Sequence, residues 1–250
     1  MRAVRDHIRA HYDLPISTAT ILRQIIFSVY EVEMAITFFL REGIRGFRLR
    51  LGDVWEIDEL YVACKNQRFP LIIVRDLRTG FDVGTYLARS TSSENIKIAL
   101  KKAKEIAHAC PSELRCDGLR SYDDAVREVF GDNTRLLRYR RVGNMGQNQS
   151  IEGHNSVIRS RLKIMRCLHS YDKSRFIVNG LILHYNYVRT SQVLGERAPI
   201  ELAMEQLDPD YKHSWLWLLK QVSYYRTMHQ NPCNYSRVFK KELRLDHFMF

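Results

Sequence analysis

The chain has 250 residues, with 39 Lys and Arg against 28 Asp and Glu, and a formal net charge of +11 at pH 7. Its 45% hydrophobic and 11% aromatic residues can fill a sizeable core, which excludes a globally disordered chain. The 12 Gly and 6 Pro exclude collagen-like and low-complexity classes. The positive surplus favours a polyanionic partner, and nucleic acid fits it better than a membrane surface.

The sequence shows neither a secretory signal nor a metal-binding pattern of cysteines. Residues 1–15 lack the apolar run of a secretory signal, and the longest apolar stretch, residues 25–40, contains Glu31 and Glu33, which would be costly in lipid. The 5 cysteines are odd in number and widely scattered, without the spacing of a zinc site. We therefore expect reduced thiols in an intracellular, cytoplasmic protein.

Residues 1–48 form a predicted N-terminal helical segment. A helix over residues 3–12 is followed by a short turn and by a second helix that begins after Ser17, a natural N-cap. Two short helices around a tight turn fit a helix-turn-helix unit, whose second helix would present Arg23 and Gln24 to DNA. An ordinary helical hairpin packed on the main domain fits the pattern equally well.

From Asp53 the hydrophobic period changes from that of a helix to that of a strand. Strands are predicted over residues 53–63, 69–77, 81–88, 113–116 and 134–139. Helices are predicted from a capping box at residues 91–94, then over residues 122–130, 150–166 and 173–188, the first with Lys97, Lys101 and Lys104 on its outer face. This order predicts an α/β fold with a mixed five-stranded sheet flanked by helices over residues 49–205, followed by a helical C-terminal extension, residues 206–250, of unknown role.

Three carboxylates stand out from this pattern. Asp58 lies in the middle of an apolar strand, where an unpaired charge is expensive, and Asp117 closes the strand at residues 113–116. Glu152 lies in the first turn of a helix and heads a polar, basic face. Together they could converge to hold two Mg²⁺ or Mn²⁺ ions through oxygen ligands, as in two-metal phosphoryl transfer.

Polar and basic residues around the third carboxylate are the first candidates for contact with DNA. A helical face of this kind can also be simply solvated, and we give the cluster that precedes the helix less weight. The candidates on the helix are His154, Asn155, Arg159, Arg161 and Lys163, and those before it are Arg138, Arg140 and Arg141.

These motifs resemble those of DDE-type insertion-sequence transposases, which have a ribonuclease-H-like fold related to that of retroviral integrases. The resemblance covers roughly residues 50–205. Its motifs are Trp55-Glu-Ile-Asp58-Glu59-Leu-Tyr61, Cys116-Asp117-Gly118 ahead of Tyr122, and Asn148-Gln-Ser-Ile-Glu152-Gly-His-Asn155 with trailing basic residues. A tail resembling the family's begins at Tyr185-Asn186, although Ser191 stands where the family usually has His.

The resemblance implies a specific reaction. Asp58, Asp117 and Glu152 would bind two divalent ions, Mg²⁺ or Mn²⁺, for nicking at the ends of an insertion element and for attack of the freed 3′-hydroxyl on target DNA. The implied partners are double-stranded DNA with terminal inverted repeats, target DNA, and further copies of the chain in a homodimer or larger assembly. The implied location is the prokaryotic cytoplasm, in association with the nucleoid.

Two other functions remain open from the sequence. One is a metal-dependent nuclease of the same fold, such as a junction-resolving or RNA-hybrid-cutting enzyme. The other is a non-catalytic, transposon-derived DNA-binding regulator that acts through its N-terminal helices. A regulator has no need for three acids in metal-binding geometry, so the arrangement of these acids discriminates between the classes.

Overall fold

The computed structural model describes residues 2–138, 149–165, 168 and 170–229. Its strands are β1 (Val54–Cys64), β2 (Gln67–Asp76), β3 (Asp82–Leu87), β4 (Glu113–Cys116) and β5 (Arg135–Arg138). Its α-helices are α1 (Arg2–Tyr12), α2 (Thr18–Glu42), α3 (Ser93–Ala107), α4 (Ser121–Phe130), α5 (Gln149–Ile164), α6 (Tyr171–Tyr187), α7 (Pro199–Ala203) and α8 (Trp215–Met228). None of these helices combines the length and the apolar character needed to cross a bilayer.

The strands form one mixed sheet in the order β3-β2-β1-β4-β5. β1, β2 and β3 are antiparallel neighbours joined by short turns, whereas β4 and β5 pair in parallel after helical crossovers. The predicted mixed five-stranded sheet flanked by helices is therefore confirmed. β1 lies at its centre, so that a side chain in the middle of β1 is surrounded by other elements.

Alternation along β1 divides the core between the two faces of the sheet. Trp55 and Ile57 contribute to the larger hydrophobic cluster, with residues of α2, α3, α4 and α8. Leu60 and Val62 contribute to a second cluster with residues of α5 and α6, including Ile158. Asp58 lies on the face of Leu60 and Val62, and Glu59 lies on the face of Trp55 and Ile57. The side chains of these adjacent acids therefore leave β1 on opposite sides of the sheet.

Helix α2 is longer than the second helix predicted from the sequence. Its N-cap is Ser17 as predicted, with the hydroxyl accepting a 3.0 Å hydrogen bond from the Thr20 backbone N–H. It then continues for 25 residues, because its apolar spacing persists to Leu40, and its buried residues run from Ile21 to Leu40. Most of the helix packs on the sheet domain, and only its first turns remain outside the core.

Two local features of α3 differ from prediction. The capping box predicted at residues 91–94 does not form, since Ser92 is the N-cap and makes no capping hydrogen bond with its side chain. Lys97 was predicted on the outer face, but only 9% of it is exposed because it pairs with both Glu94 and Glu128. Its aliphatic stem is covered while its ammonium group is neutralised.

Candidate metal centre

The register of β1 and β4 determines where the first two predicted acids lie. These parallel strands pair from Val54↔Glu113 to Glu56↔Arg115. Continuing the same register by two residues sets Asp117 beside Asp58, just after β4 has ended at Cys116. Because β4 ends here, the edge of β1 opens at Asp58, and side chains from both faces can reach the open space.

Three carboxylates meet in this space. Asp58, Glu59 and Asp117 each offer an oxygen, and these oxygens all lie within 4.8 Å of one another. Asp58 and Glu59 are half-buried, whereas Asp117 is exposed. The predicted convergence of Asp58 and Asp117 is thus present, and Glu59 lies within the same cluster, although only the first two were predicted as ligands.

Tyr122 holds Glu59 in this position. Its buried phenol O–H donates a 2.6 Å hydrogen bond to Glu59 Oε1 from the first turn of α4. Burial raises the pKa of Glu59 to about 7, and the nearby charges of Asp117 and Asp58 contribute to the rise. The bond from Tyr122 opposes the rise because it favours the ionised carboxylate.

Helix α5 reaches the cluster through Asn155. The Asn155 Nδ2 group donates a 2.7 Å hydrogen bond to Asp58 Oδ2. Glu152 is exposed and precedes Asn155 by three residues, so both lie on neighbouring positions of one helical face. Burial raises the pKa of Asp58, and the charges of Asp117 and Glu152 raise it further, which places Glu152 within electrostatic range of Asp58. Glu152 is not among the three residues whose oxygens lie within 4.8 Å.

His154 and Asn155, which were predicted to contact DNA, are buried. They are 3% and 2% exposed, and their side chains point toward the sheet. His154 Nε2 lies 3.0 Å from Asp82 Oδ2, and its ring packs edge-on against Tyr185. Contact of these two residues with DNA stays a prediction, and burial leaves only a small part of each accessible.

A buried polar network surrounds His154. Arg75 donates from Nη1 to Asp82 Oδ1 at 3.2 Å and from Nη2 to the Tyr185 hydroxyl at 2.9 Å. Asn186 accepts from the Asp82 backbone N–H and donates to its carbonyl. The hydrogen bonds of this network join β2, β3 and α6, and α5 packs against them through the ring of His154.

Another buried acid, Glu56, lies under the start of α5. It is fully buried on the same face of β1 as Asp58. Burial raises its pKa, while the positive charges of Arg75 and Arg115 and the amide of Ile151 favour the ionised form.

The remaining predicted DNA-binding residues have different placements. Arg159, Arg161 and Lys163 are exposed along α5, and Arg23 and Gln24 are exposed in the first turns of α2. Arg138 is exposed at the end of β5 and forms an ion pair with Asp123. Arg140 and Arg141 lie outside the described residues.

Sequence reasoning missed the contributions of three side chains, and two of them had a signal. His154 and Asn155 lie between the buried Ile151 and Ile158 at positions i+3 and i+4, which is the spacing of a core-facing stripe. Glu59 directly follows Asp58, but strand alternation assigns adjacent residues to opposite faces. Only the early end of β4 lets both reach one space.

The donor set fits a hard divalent cation. Carboxylate oxygens are the ligands preferred by Mg²⁺ and Mn²⁺, and no cysteine or histidine belongs to the described cluster. Clustered carboxylates repel one another, and a bound cation removes this repulsion. Asp58, Glu59 and Asp117 are thus suited to hold such an ion, and Glu152 acts electrostatically on Asp58 from outside this cluster.

A family model matches the part of the chain that contains these acids. A sequence model described as a DDE domain matches residues 52–191, which is more than half of the chain and includes all the acids above. No curated protein gives a significant sequence match.

Solved structures similar to the chain include viral integrases. The HTLV-2 integrase catalytic core in complex with magnesium has a TM-score of 0.47 and 13% identity, over 62% of this chain and 99% of that one. The BIV integrase catalytic core has a TM-score of 0.43 and 11% identity, over 60% and 92%. A chain of the simian T-cell lymphotropic virus intasome in complex with PP2A regulatory subunit B56 gamma has a TM-score of 0.48 and 15% identity, over 65% of this chain and 60% of that one.

Proposed function

Because the chain belongs to the DDE-domain family of transposases, we propose that it cuts DNA at the ends of an insertion element and transfers the freed 3′-hydroxyl into target DNA. The observation that carries this proposal is the convergence of Asp58 and Asp117 at the point where β4 ends. Asn155 ties the helix that bears Glu152 to Asp58. These three acids are the proposed catalytic set.

The proposed site would contain two divalent cations, Mg²⁺ or Mn²⁺. Such ions activate an attacking oxygen and stabilise a leaving oxygen in phosphoryl transfer. Asp58 and Asp117 would hold them from the sheet, and Glu152 from α5. The 2.7 Å bond from Asn155 would keep the Asp58 carboxylate in one orientation.

The proposed partner is double-stranded DNA, both at the terminal inverted repeats and at the target. Arg159, Arg161 and Lys163 extend along α5 beyond Glu152, so a phosphate backbone lying along this helix would pass beside the acids. Their charges would offset the repulsion between the DNA and the carboxylates. Two or more copies of the chain would hold the two ends of the element together.

The substitution Asp58→Asn tests the proposed function. With Mg²⁺, the wild-type chain is expected to nick and join DNA that carries the element's terminal repeats. Asp58→Asn is expected to abolish both steps, by at least about 10³-fold, because it removes a charged oxygen ligand while conserving shape. Gel assays of nicked and joined products measure both steps.

Asp53→Asn is the matched control, since Asp53 is an exposed aspartate five residues earlier on the same segment. It should leave both steps unchanged. Nicking without joining by the wild-type chain would favour the metal-dependent nuclease. DNA binding with neither step would favour the non-catalytic regulator.

A further inference from the structure

Glu59 occupies a position that the proposed catalytic set does not use. Its carboxylate belongs to the cluster whose oxygens lie within 4.8 Å of one another, together with Asp58 and Asp117. Glu152 is outside that cluster. The most compact oxygen set in the described residues thus contains Glu59 as its third member.

The spacing of this set suits a single ion. Oxygens that bind one Mg²⁺ at about 2.1 Å are at most about 4.2 Å apart, and those of a larger cation at about 2.5 Å can be about 5 Å apart. The 4.8 Å limit of the cluster lies between these values. Only a small contraction is needed to place all three oxygens around Mg²⁺.

Tyr122 gives Glu59 a fixed orientation. The phenol is fully buried and donates to Glu59 Oε1 at 2.6 Å. A carboxylate oriented by a donor on one oxygen can present the other oxygen to a cation, as is common around metal ligands. Tyr122 lies five residues after Asp117, so the same short segment supplies one acid and positions another.

We propose that Glu59 is a further metal-ligating residue, which with Asp58 and Asp117 forms the oxygen set for one of the two ions. Tyr122 is its positioning residue. This inference rests on the proposed function for the presence of the metal. The assignment differs from the proposed catalytic set of Asp58, Asp117 and Glu152, because one ion gains a ligand, Glu59, from the opposite face of β1.

The test measures metal binding by the full chain without DNA. Isothermal titration with Mn²⁺ should show binding by the wild-type chain, and a dissociation constant at least about 10-fold higher for Glu59→Gln. The glutamine keeps the size of the side chain and can still accept from Tyr122, but it lacks the charge. Tyr122→Phe, which keeps the ring and removes the donor, should weaken binding by a smaller factor, and Asp53→Asn should not change it.

Thermal unfolding separates ligation from a purely structural role. Without metal, Glu59→Gln should unfold at the wild-type temperature or above it, because it removes one of several crowded negative charges. The rise in unfolding temperature on adding Mn²⁺ should be smaller than for the wild type. A lower metal-free unfolding temperature with an unchanged rise would overturn the proposal.

The results that would refute the role of Glu59 differ from those that would refute the proposed function. Equal Mn²⁺ affinity of Glu59→Gln and wild type, or no Mn²⁺ binding by the wild-type chain, overturns the role of Glu59. DNA joining can still occur in either case. Conversely, weakened Mn²⁺ binding in Glu59→Gln upholds the ligand assignment even if the chain joins no DNA.

Discussion

At the scale of single residues, Asn155 links the two structural units that carry the acids. Its side chain spans from α5 to β1 and is almost entirely buried. Its neighbour His154 is buried too, with its Nε2 atom 3.0 Å from Asp82 Oδ2. The polar residues nearest the site thus serve to fix the helix and the carboxylate, whereas the exposed cations follow further along α5.

Replacing Asn155 with Ala should slow the reaction, although the metal-binding carboxylates themselves are kept. The change removes the donor to Asp58 Oδ2, so we expect a loss of about 10- to 100-fold in strand cleavage, with weaker Mn²⁺ binding. Cleavage rates over a range of Mn²⁺ concentrations measure both effects. Ser156→Ala, at the exposed next position, is the control. If Asn155 acted only by contacting DNA, Asn155→Ala would lower the affinity for DNA and leave the affinity for Mn²⁺ unchanged.

Part of the site was predictable at this scale. Asp58 was identified because an acid in an apolar strand is unusual, and Asp117 because it closes a strand at the end where α/β sheets tend to bind ligands. The orientation of α5 was harder to predict, since helical spacing gives angles between residues and not the rotation of the helix on the sheet. The stripe from Ile151 to Ile158 carries that information, and it encloses His154 and Asn155.

At the scale of elements, α3 lies directly against β3 at Gly84. A Cβ atom built on Gly84 would lie 2.4 Å from the Ala99 carbonyl oxygen and 2.8 Å from Ala103 Cβ. Helix backbone cannot rotate out of the way as a side chain can. The small residues on both sides therefore let the helix rest directly on the strand.

Gly84→Ala should destabilise the protein because α3 would have to move away from the sheet. We expect a loss of about 1–3 kcal/mol in the free energy of unfolding, measured with urea. Gly153→Ala in α5 is the matched control, since its Cβ would meet no atom within 4 Å. That change should be neutral or stabilising by up to about 1 kcal/mol, because alanine is the better helix former. Equal stability of Gly84→Ala and wild type would contradict the close packing.

Strand and helix positions were largely predictable from periodicity. β1, β2 and β4 lie within a few residues of their predicted bounds, because alternation and apolar runs depend on local sequence. The pairing order, the early end of β4 and the meeting of Asp58 with Glu59 depend on contacts between distant segments. Local patterns do not contain that information.

At the scale of the whole molecule, the cations behind the net charge of +11 include some that are paired within the fold and others that are exposed. Some cations are neutralised within the fold, such as Arg75 by Asp82 and Lys97 by two glutamates. Others, including Arg159 and Lys163, are exposed on the helix that adjoins the acids. The positive charge that a polyanion such as DNA can contact is therefore better judged from the exposed cations than from the net charge of the chain.

DNA binding should weaken steeply as salt concentration rises, because cations that contact phosphates release counterions. Lys163→Gln should lower affinity at low salt and reduce the slope of log affinity against log salt by about one contact. Fluorescence anisotropy without divalent metal measures this while preventing cleavage. Lys220→Gln, an exposed lysine on α8, should leave the slope unchanged, and equal effects of both changes would argue against a defined phosphate path along α5.

Helix α2 has a consequence for how such a chain can change over generations. Its first turns expose Arg23 and Gln24, while its later turns pack in the main core and pair with α8 through Glu31 and Arg226. A single helix thus joins an exposed N-terminal part to the buried core. Substitutions before Ile21 avoid the core, and a viable exchange of N-terminal segments between relatives would have its junction inside this helix, not at its end.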